Sequence, residues 1–201
     1  MTLVIGLTGS IGTGKSMIAN KLRELDIPVV DADLIAREVV EPDQVTYRKI
    51  VELFGEDILH DDKTLNRKAL GSIVFSDDEK RKQLNAVIHP AIREEMIRQR
   101  DEWIKKEEQC VVLDIPLLYE SKLTHFVEKV IVVYVDEDVQ LERIIARDES
   151  TVEDAKQRIN AQIPVAEKAK KADAVIDNNG TKEQSYEQLK EILSKWDITF
   201  D

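Results

Sequence analysis

Gly9-Ser10-Ile11-Gly12-Thr13-Gly14-Lys15-Ser16 follows directly on the apolar run Leu3-Val4-Ile5-Gly6-Leu7. These eight residues satisfy G-x-x-x-x-G-K-[ST], a loop that joins a strand to a helix and cradles the phosphates of a nucleoside triphosphate. Its glycines let successive backbone N–H groups turn toward phosphate oxygens. Lys15 reaches the β- and γ-phosphates, and the Ser16 hydroxyl is placed to ligate Mg²⁺. A phosphate-loop lysine is expected to point at ligand and away from the core. Both flanks agree with the motif: Leu3–Leu7 reads as a strand, and Met17-Ile18-Ala19-Asn20-Lys21-Leu22-Arg23-Glu24-Leu25 as a helix with Ile18, Leu22 and Leu25 on one face.

Composition sets the limits. The chain has 201 residues and 42% hydrophobic content, enough for one domain with room for an insertion. Forty acidic against 29 basic side chains give a formal charge of −11, so no global basic field would gather nucleic acid or anionic lipid. A small anionic ligand needs only a local pocket. The single cysteine, Cys110, lies in an apolar run and can form no internal disulfide, which fits a reducing cytoplasm. The first residues carry no basic region before an apolar stretch, and Leu3–Leu7 is too short to span a bilayer, so neither export nor membrane insertion is expected.

Short β-branched runs alternate with longer helical patterns, the arrangement of βα units on a parallel sheet. Five strands are expected, at Leu3–Thr8, Pro28–Asp31, Cys110–Asp114, Lys129–Val135 and Ala174–Ile176. Ser76-Asp77-Asp78-Glu79 and Thr181-Lys182-Glu183-Gln184 read as capping boxes, and Phe54-Gly55 as a helix end. A final helix places Tyr186, Leu189, Leu193 and Trp196 on a core-facing stripe. The stretch between the second and third strands exceeds what a crossover needs, so residues 34–109 read as a helical insertion that walls a second substrate pocket. Residues 147–171 are charged and poor in large apolar side chains; they read as a mobile lid or as a solvated helical hairpin.

In an open parallel sheet, ligands gather outside the carboxyl ends of the strands. Besides the loop, that rule selects Asp31-Ala32-Asp33 and Asp114-Ile115-Pro116. Asp114 stands where a carboxylate can hold Mg²⁺, or can cap the next turn. Asp33 can accept a proton from an acceptor hydroxyl during phosphoryl transfer, or can serve as the N-cap of a helix over 34–40. His89 precedes Pro90, which points to a helix break between Ile88 and Ala91 and a structural role. His60 and His125 have no partners at metal-ligand spacing, so no transition-metal site is expected.

From Asp31-Ala32-Asp33-Leu34-Ile35-Ala36-Arg37 onward the sequence resembles the dephospho-CoA kinases. The resemblance covers nearly the whole chain. It is carried by Gly6 through Ser16, His89-Pro90, Pro116-Leu117-Leu118-Tyr119-Glu120, Arg147-Asp148, Arg158 through Gln162, and Ala172 through Gly180. It implies one three-layer α/β P-loop kinase domain over 1–201, with the insertion binding the acceptor and the lid closing over ATP. The implied reaction is transfer of the γ-phosphoryl group of ATP, with Mg²⁺, to the 3′-hydroxyl of dephospho-CoA in the cytoplasm. No nucleic acid, membrane or obligate protein partner is implied. By the same resemblance Asp33 takes the hydroxyl proton, and Arg37, Pro116, Leu117 and Leu118 lie toward the acceptor. Arg143 and Asn178 hold the adenine end of ATP, and Arg147 approaches the phosphates. From its residues alone, Arg143 reads equally as solvated helix surface. Met17 stands where the family commonly has threonine. Kinases of other small hydroxylated or nucleotide acceptors remain the nearest rivals. A P-loop GTPase switch would need an Asn-Lys-x-Asp guanine reader, whereas the late strand here leads into Asp177-Asn178-Asn179-Gly180.

Overall fold

A computed structural model describes residues 1–200. Five strands, β1 (Leu3–Thr8), β2 (Val29–Asp31), β3 (Cys110–Asp114), β4 (Lys129–Tyr134) and β5 (Ala174–Asp177), form one sheet in the order β2-β3-β1-β4-β5. The sheet is parallel, with Leu3 facing Cys110 at the start of β1 and Val132 facing Val175 between β4 and β5. The helices are α1 (Lys15–Glu24), α2 (Ala32–Glu38), α3 (Val45–Phe54), α4 (Arg67–Ser76), α5 (Asp78–Lys105), α6 (Glu137–Asp148), α7 (Val152–Asn160), α8 (Val165–Ala169) and α9 (Lys182–Lys195).

The apolar strand runs are explained by burial on both faces. Alternate residues Ile5, Leu7, Val112, Ile131, Val133 and Ile176 pack with Ile18 and Leu22 of α1 and Leu189 and Leu193 of α9. Their neighbours Val111, Leu113, Val130 and Val132 are buried as well. Each such side chain contributes about 1.5–3 kcal/mol on burial, so the strand positions are set mainly by this core. Tyr186 and Trp196 pack against its margin, as the periodicity of the last helix requires.

The chain forms two compact units: Met1–Val30 with the chain from Arg100 onward, and Asp31–Gln99. The first contains β1, β3, β4 and β5 with α1 and α6–α9. The second has its own small core, including Ile35, Ile50, Ile58 and Leu70.

Three local expectations are corrected. Asp31, not Asp33, caps α2: its carboxylate accepts from the N–H groups of Asp33 and Leu34, both at 3.0 Å. Strand β2 ends at Asp31, so the extended geometry an N-cap needs falls two residues earlier than sequence pattern placed it. Similarly, Asp77 rather than Ser76 accepts from the N–H groups of Glu79 and Lys80, while the Ser76 hydroxyl bonds back within α4 to Ser72 O at 3.2 Å. Helix α5 is unbroken, with Pro90 inside it. Ala86, whose carbonyl loses its partner four residues on, is exposed along with His89 and Pro90. Water can satisfy that carbonyl, and buried Leu84 and Met96 anchor the helix on either side. The Thr181–Gln184 capping box is present in both directions, and Gly55 ends α3 with a positive φ.

Candidate active site

The phosphate loop leaves β1 at Thr8 and enters α1 at Lys15. Gly12 and Gly14 have φ values of 79° and 87°, a region that side chains strain to adopt. A Cβ on Gly14 would also collide with the Asn178 amide nitrogen, so both conformation and space demand glycine there. Gly14 is the N-cap of α1 and supplies no side-chain acceptor, which leaves the first N–H groups of the helix for a ligand.

An anion cradle needs its N–H groups turned in and its carbonyls turned away. Side chains from scattered parts of the sequence hold those carbonyls. Lys168 Nζ donates to Gly9 O at 2.7 Å, the Gln140 amide to Ile11 O at 2.6 Å, and the Asn178 amide to Thr13 O at 2.8 Å. The Thr13 hydroxyl donates to Ser10 O at 2.9 Å within the loop. Ser185 in turn donates to Asn178 Oδ1 at 2.8 Å, and Thr8 Oγ1 donates to Pro116 O at 3.0 Å. Apart from Thr2 and Thr46, every buried polar side chain of the described residues belongs to this assembly: Thr8, Thr13, Asp114, Gln140, Lys168, Asn178 and Ser185. Buried polar groups are costly unless paired, and here they are spent on one loop.

Lys15 pairs with Asp114 at the end of β3, and both side chains are largely buried. Lys15, expected to point at ligand and away from the core, instead turns onto a buried carboxylate. Asp114 gives the lysine a carboxylate partner inside the fold. Arg143, half-buried on α6, donates to Asn178 O at 2.8 Å, which ties the two residues named for the adenine end to one spot beside Gly14. Arg147 grips Asp148 through two bonds of 2.7 and 2.9 Å, and Arg158 adds a third to the same carboxylate. Hydrogen bonds from Arg147 first and Arg158 second hold the Asp148 carboxyl down at about 2. Leu118 is buried and Leu117 exposed. Asp33 and Arg37 are exposed on α2, in the second unit.

Ser16 is exposed in the first turn of α1, and Asp114 stands at Lys15. A hydroxyl and a carboxylate suit Mg²⁺, which takes few protein oxygens and fills its shell with water and phosphate. Among the described residues no three His, Cys, Asp or Glu side chains converge as a metal cluster, and no helix is long and apolar enough to cross a membrane.

The dephospho-CoA kinase family model (CoaE) matches residues 3–184. The chain belongs to the dephospho-CoA kinase family. It is 53% identical to a dephospho-CoA kinase of Oceanobacillus iheyensis over 199 residues, spanning 99% of this chain and 100% of that one. A dephospho-CoA kinase of Geobacillus kaustophilus is 52% identical over 98% of both chains. Among solved structures, a dephospho-CoA kinase from Campylobacter jejuni superposes with a TM-score of 0.75 at 32% identity, covering 97% of each chain. The α/β P-loop kinase architecture expected from the sequence is thus found.

Sequence reasoning missed the supports of the loop. Gln140 and Ser185 had a usable signal: each lies four residues before a core position, Ile144 and Leu189, so each puts a polar group on a buried helix face. Lys168 had none, because it sits in a charged stretch that reads as solvated.

Proposed function

We propose that this chain transfers the γ-phosphoryl group of Mg·ATP to the 3′-hydroxyl of dephospho-CoA, giving coenzyme A and ADP in the cytoplasm. The observation that carries the reading is the outward-tied phosphate loop, in a chain aligned end to end with dephospho-CoA kinases. Residues Gly9–Met17 bind the phosphates, and Arg143 and Asn178 hold the adenine end. Lys15 moves its charge from Asp114 to the β- and γ-oxygens as nucleotide enters. The acceptor oxygen forms its bond to the γ-phosphorus while the bond to the bridging oxygen of ADP breaks, and Asp33 receives the hydroxyl proton. With the cap supplied by Asp31, the Asp33 carboxylate is spared for that task.

Ser16 and Asp114 would hold Mg²⁺, which when bound neutralises phosphate charge. Arg37 and the Pro116–Leu118 turn position the acceptor. Residues 34–109 form the acceptor-binding insertion, and residues 147–171 the lid, of which 147–160 close while 162–171 stay bonded to the loop or to Glu120. Arg147 exchanges Asp148 for phosphate on closure, since its planar fork fits either anion.

Purified protein with Mg·ATP and separately dephospho-CoA, AMP, CMP and shikimate tests the acceptor. Rapid ADP release is expected with dephospho-CoA alone; faster release with AMP or CMP would overturn the proposal.

A further inference from the structure

Of the side chains that hold the loop, Lys168 is the one whose burial is hardest to explain by packing. Its side chain is 0% exposed, and its Nζ lies 2.7 Å from Glu120 Oε1 as well as 2.7 Å from Gly9 O. The same Glu120 oxygen accepts the Ile163 N–H at 3.1 Å, while Oε2 is buried with no hydrogen-bond partner among the described residues. An ammonium leaves water at a large cost, and a hydrophobic side chain of similar volume would fill the space without it. A cation does what an apolar group cannot. It draws the Gly9 carbonyl to one side, and because C=O and the following N–H of a trans peptide point in opposite directions, it turns the Ser10 N–H to the other. Thr13 Oγ1 accepts that N–H at 3.4 Å, inside the loop. The neighbouring contacts reinforce the coupling. Gln162 Oε1 accepts the Ile11 N–H at 3.0 Å, so the segment just before α8 holds the next residues of the loop.

We infer that Lys168, held by Glu120, is a positioning residue for nucleotide binding, setting the Gly9–Ser10 peptide and joining the phosphate loop to the Pro116–Glu120 turn and to α8. The inference rests on the proposal that this loop binds nucleotide.

The test is a fluorescence titration of the full chain with Mg²⁺ and a mant-labelled ADP, without acceptor, well below the melting temperature. Lys168→Met removes charge and donor at similar volume; Glu120→Gln keeps an acceptor oxygen and removes the counter-charge. Folded Lys168→Met is expected to bind mant-ADP at least tenfold more weakly, and Glu120→Gln at least threefold. A purely structural strut would lower Tm in both variants and leave the Kd of the folded protein within threefold, and that result overturns the inference. Should Lys168→Met fail to fold, Glu120→Gln decides at the same threefold line. A parent chain that does not bind mant-ADP overturns the nucleotide reading and this inference together. A parent that binds it but rejects dephospho-CoA overturns the acceptor assignment alone.

Discussion

The phosphate loop and the Asp31–Arg37 segment serve the two sides of the proposed reaction, and they are built in opposite ways. Side chains from α6, α8 and β5's far end hold the loop's carbonyls, and almost all of them are buried. The Asp31–Arg37 segment is held by the local Asp31 cap, by Ile35 buried in its unit's small core and by a 3.5 Å bond from Arg67 to Arg37 O, while Asp33, Leu34 and Arg37 all face outward. Its unit also carries Phe75 at 88% exposure and Val45 at 59%. A site that binds one fixed anion gains from preorganised dipoles. A site that supplies one proton acceptor to a large ligand can leave the surface open. Substitutions in the loop should therefore disturb fold and binding together, whereas those at Asp33 should disturb chemistry alone.

The sharpest way to break that contrast is Asp33→Asn. With the cap on Asp31, this change spares helix α2, and kcat is expected to fall by roughly 10²- to 10⁴-fold with unchanged nucleotide affinity and melting. Asp31→Asn keeps a capping side chain, so its Tm and kcat should both stay near the parent. If Asp33→Asn retains activity while Asp31→Asn loses it, the base has been assigned to the wrong carboxylate.

Lys15→Ala should show the loop's opposite character. It stops phosphoryl transfer, and it also deprives a buried carboxylate of its cation, a loss of about 3 kcal/mol in urea unfolding. Adding Asp114→Asn should recover most of that stability and none of the activity. A Lys15→Ala protein as stable as the parent would mean that the Lys15–Asp114 pair is not part of the fold.

Limited proteolysis sharpens the comparison within the lid. Gln162, Ile163 and Lys168 are bonded to the loop or to Glu120, whereas α7 packs on α6 through a single buried residue, Ala155, and adds the exposed Arg158–Asp148 bond. Cleavage in 147–160 should slow several-fold with ATP and an unreactive acceptor analogue, and 162–171 should resist in both states. Equal cleavage of 147–160 with and without ligand would remove the lid.

The smallest expected effect is electrostatic. The Asp148 carboxyl lies at about 2 in the fold against an ordinary value of 3.8, so the unfolded chain takes up its proton first on acidification. The stabilisation is present above about pH 4 and is lost as pH falls through about 2. The Tm difference between the parent and Asp148→Asn should thus narrow as pH falls from about 4 toward about 2. A gap that stays constant would show that Asp148 does not hold the arginines.

Much of this fold was legible because its strands are buried on both faces and read as unbroken apolar runs. Strands β1 and β3 end where the pattern places them, at Thr8 and Asp114. The loop was legible because its backbone geometry demands glycine at Gly12 and Gly14. Caps were harder. At Asp31-Ala32-Asp33 two residues of the same type compete, and only the end of β2 decides between them. Pro90 misled because a proline rule is local, while the buried side chains that carry α5 past it lie turns away. Lys168 was illegible for a related reason: its partner Gly9 is 159 residues distant, and no periodicity spans that gap.

Phosphorus NMR of the product formed from dephospho-CoA and Mg·ATP tests the central claim most directly. A single new phosphomonoester coupled to the ribose 3′ proton, appearing one for one with ADP, is the expected result. A phosphomonoester coupled to the 2′ proton, or ADP release with no new phosphomonoester, would contradict transfer to the 3′-hydroxyl.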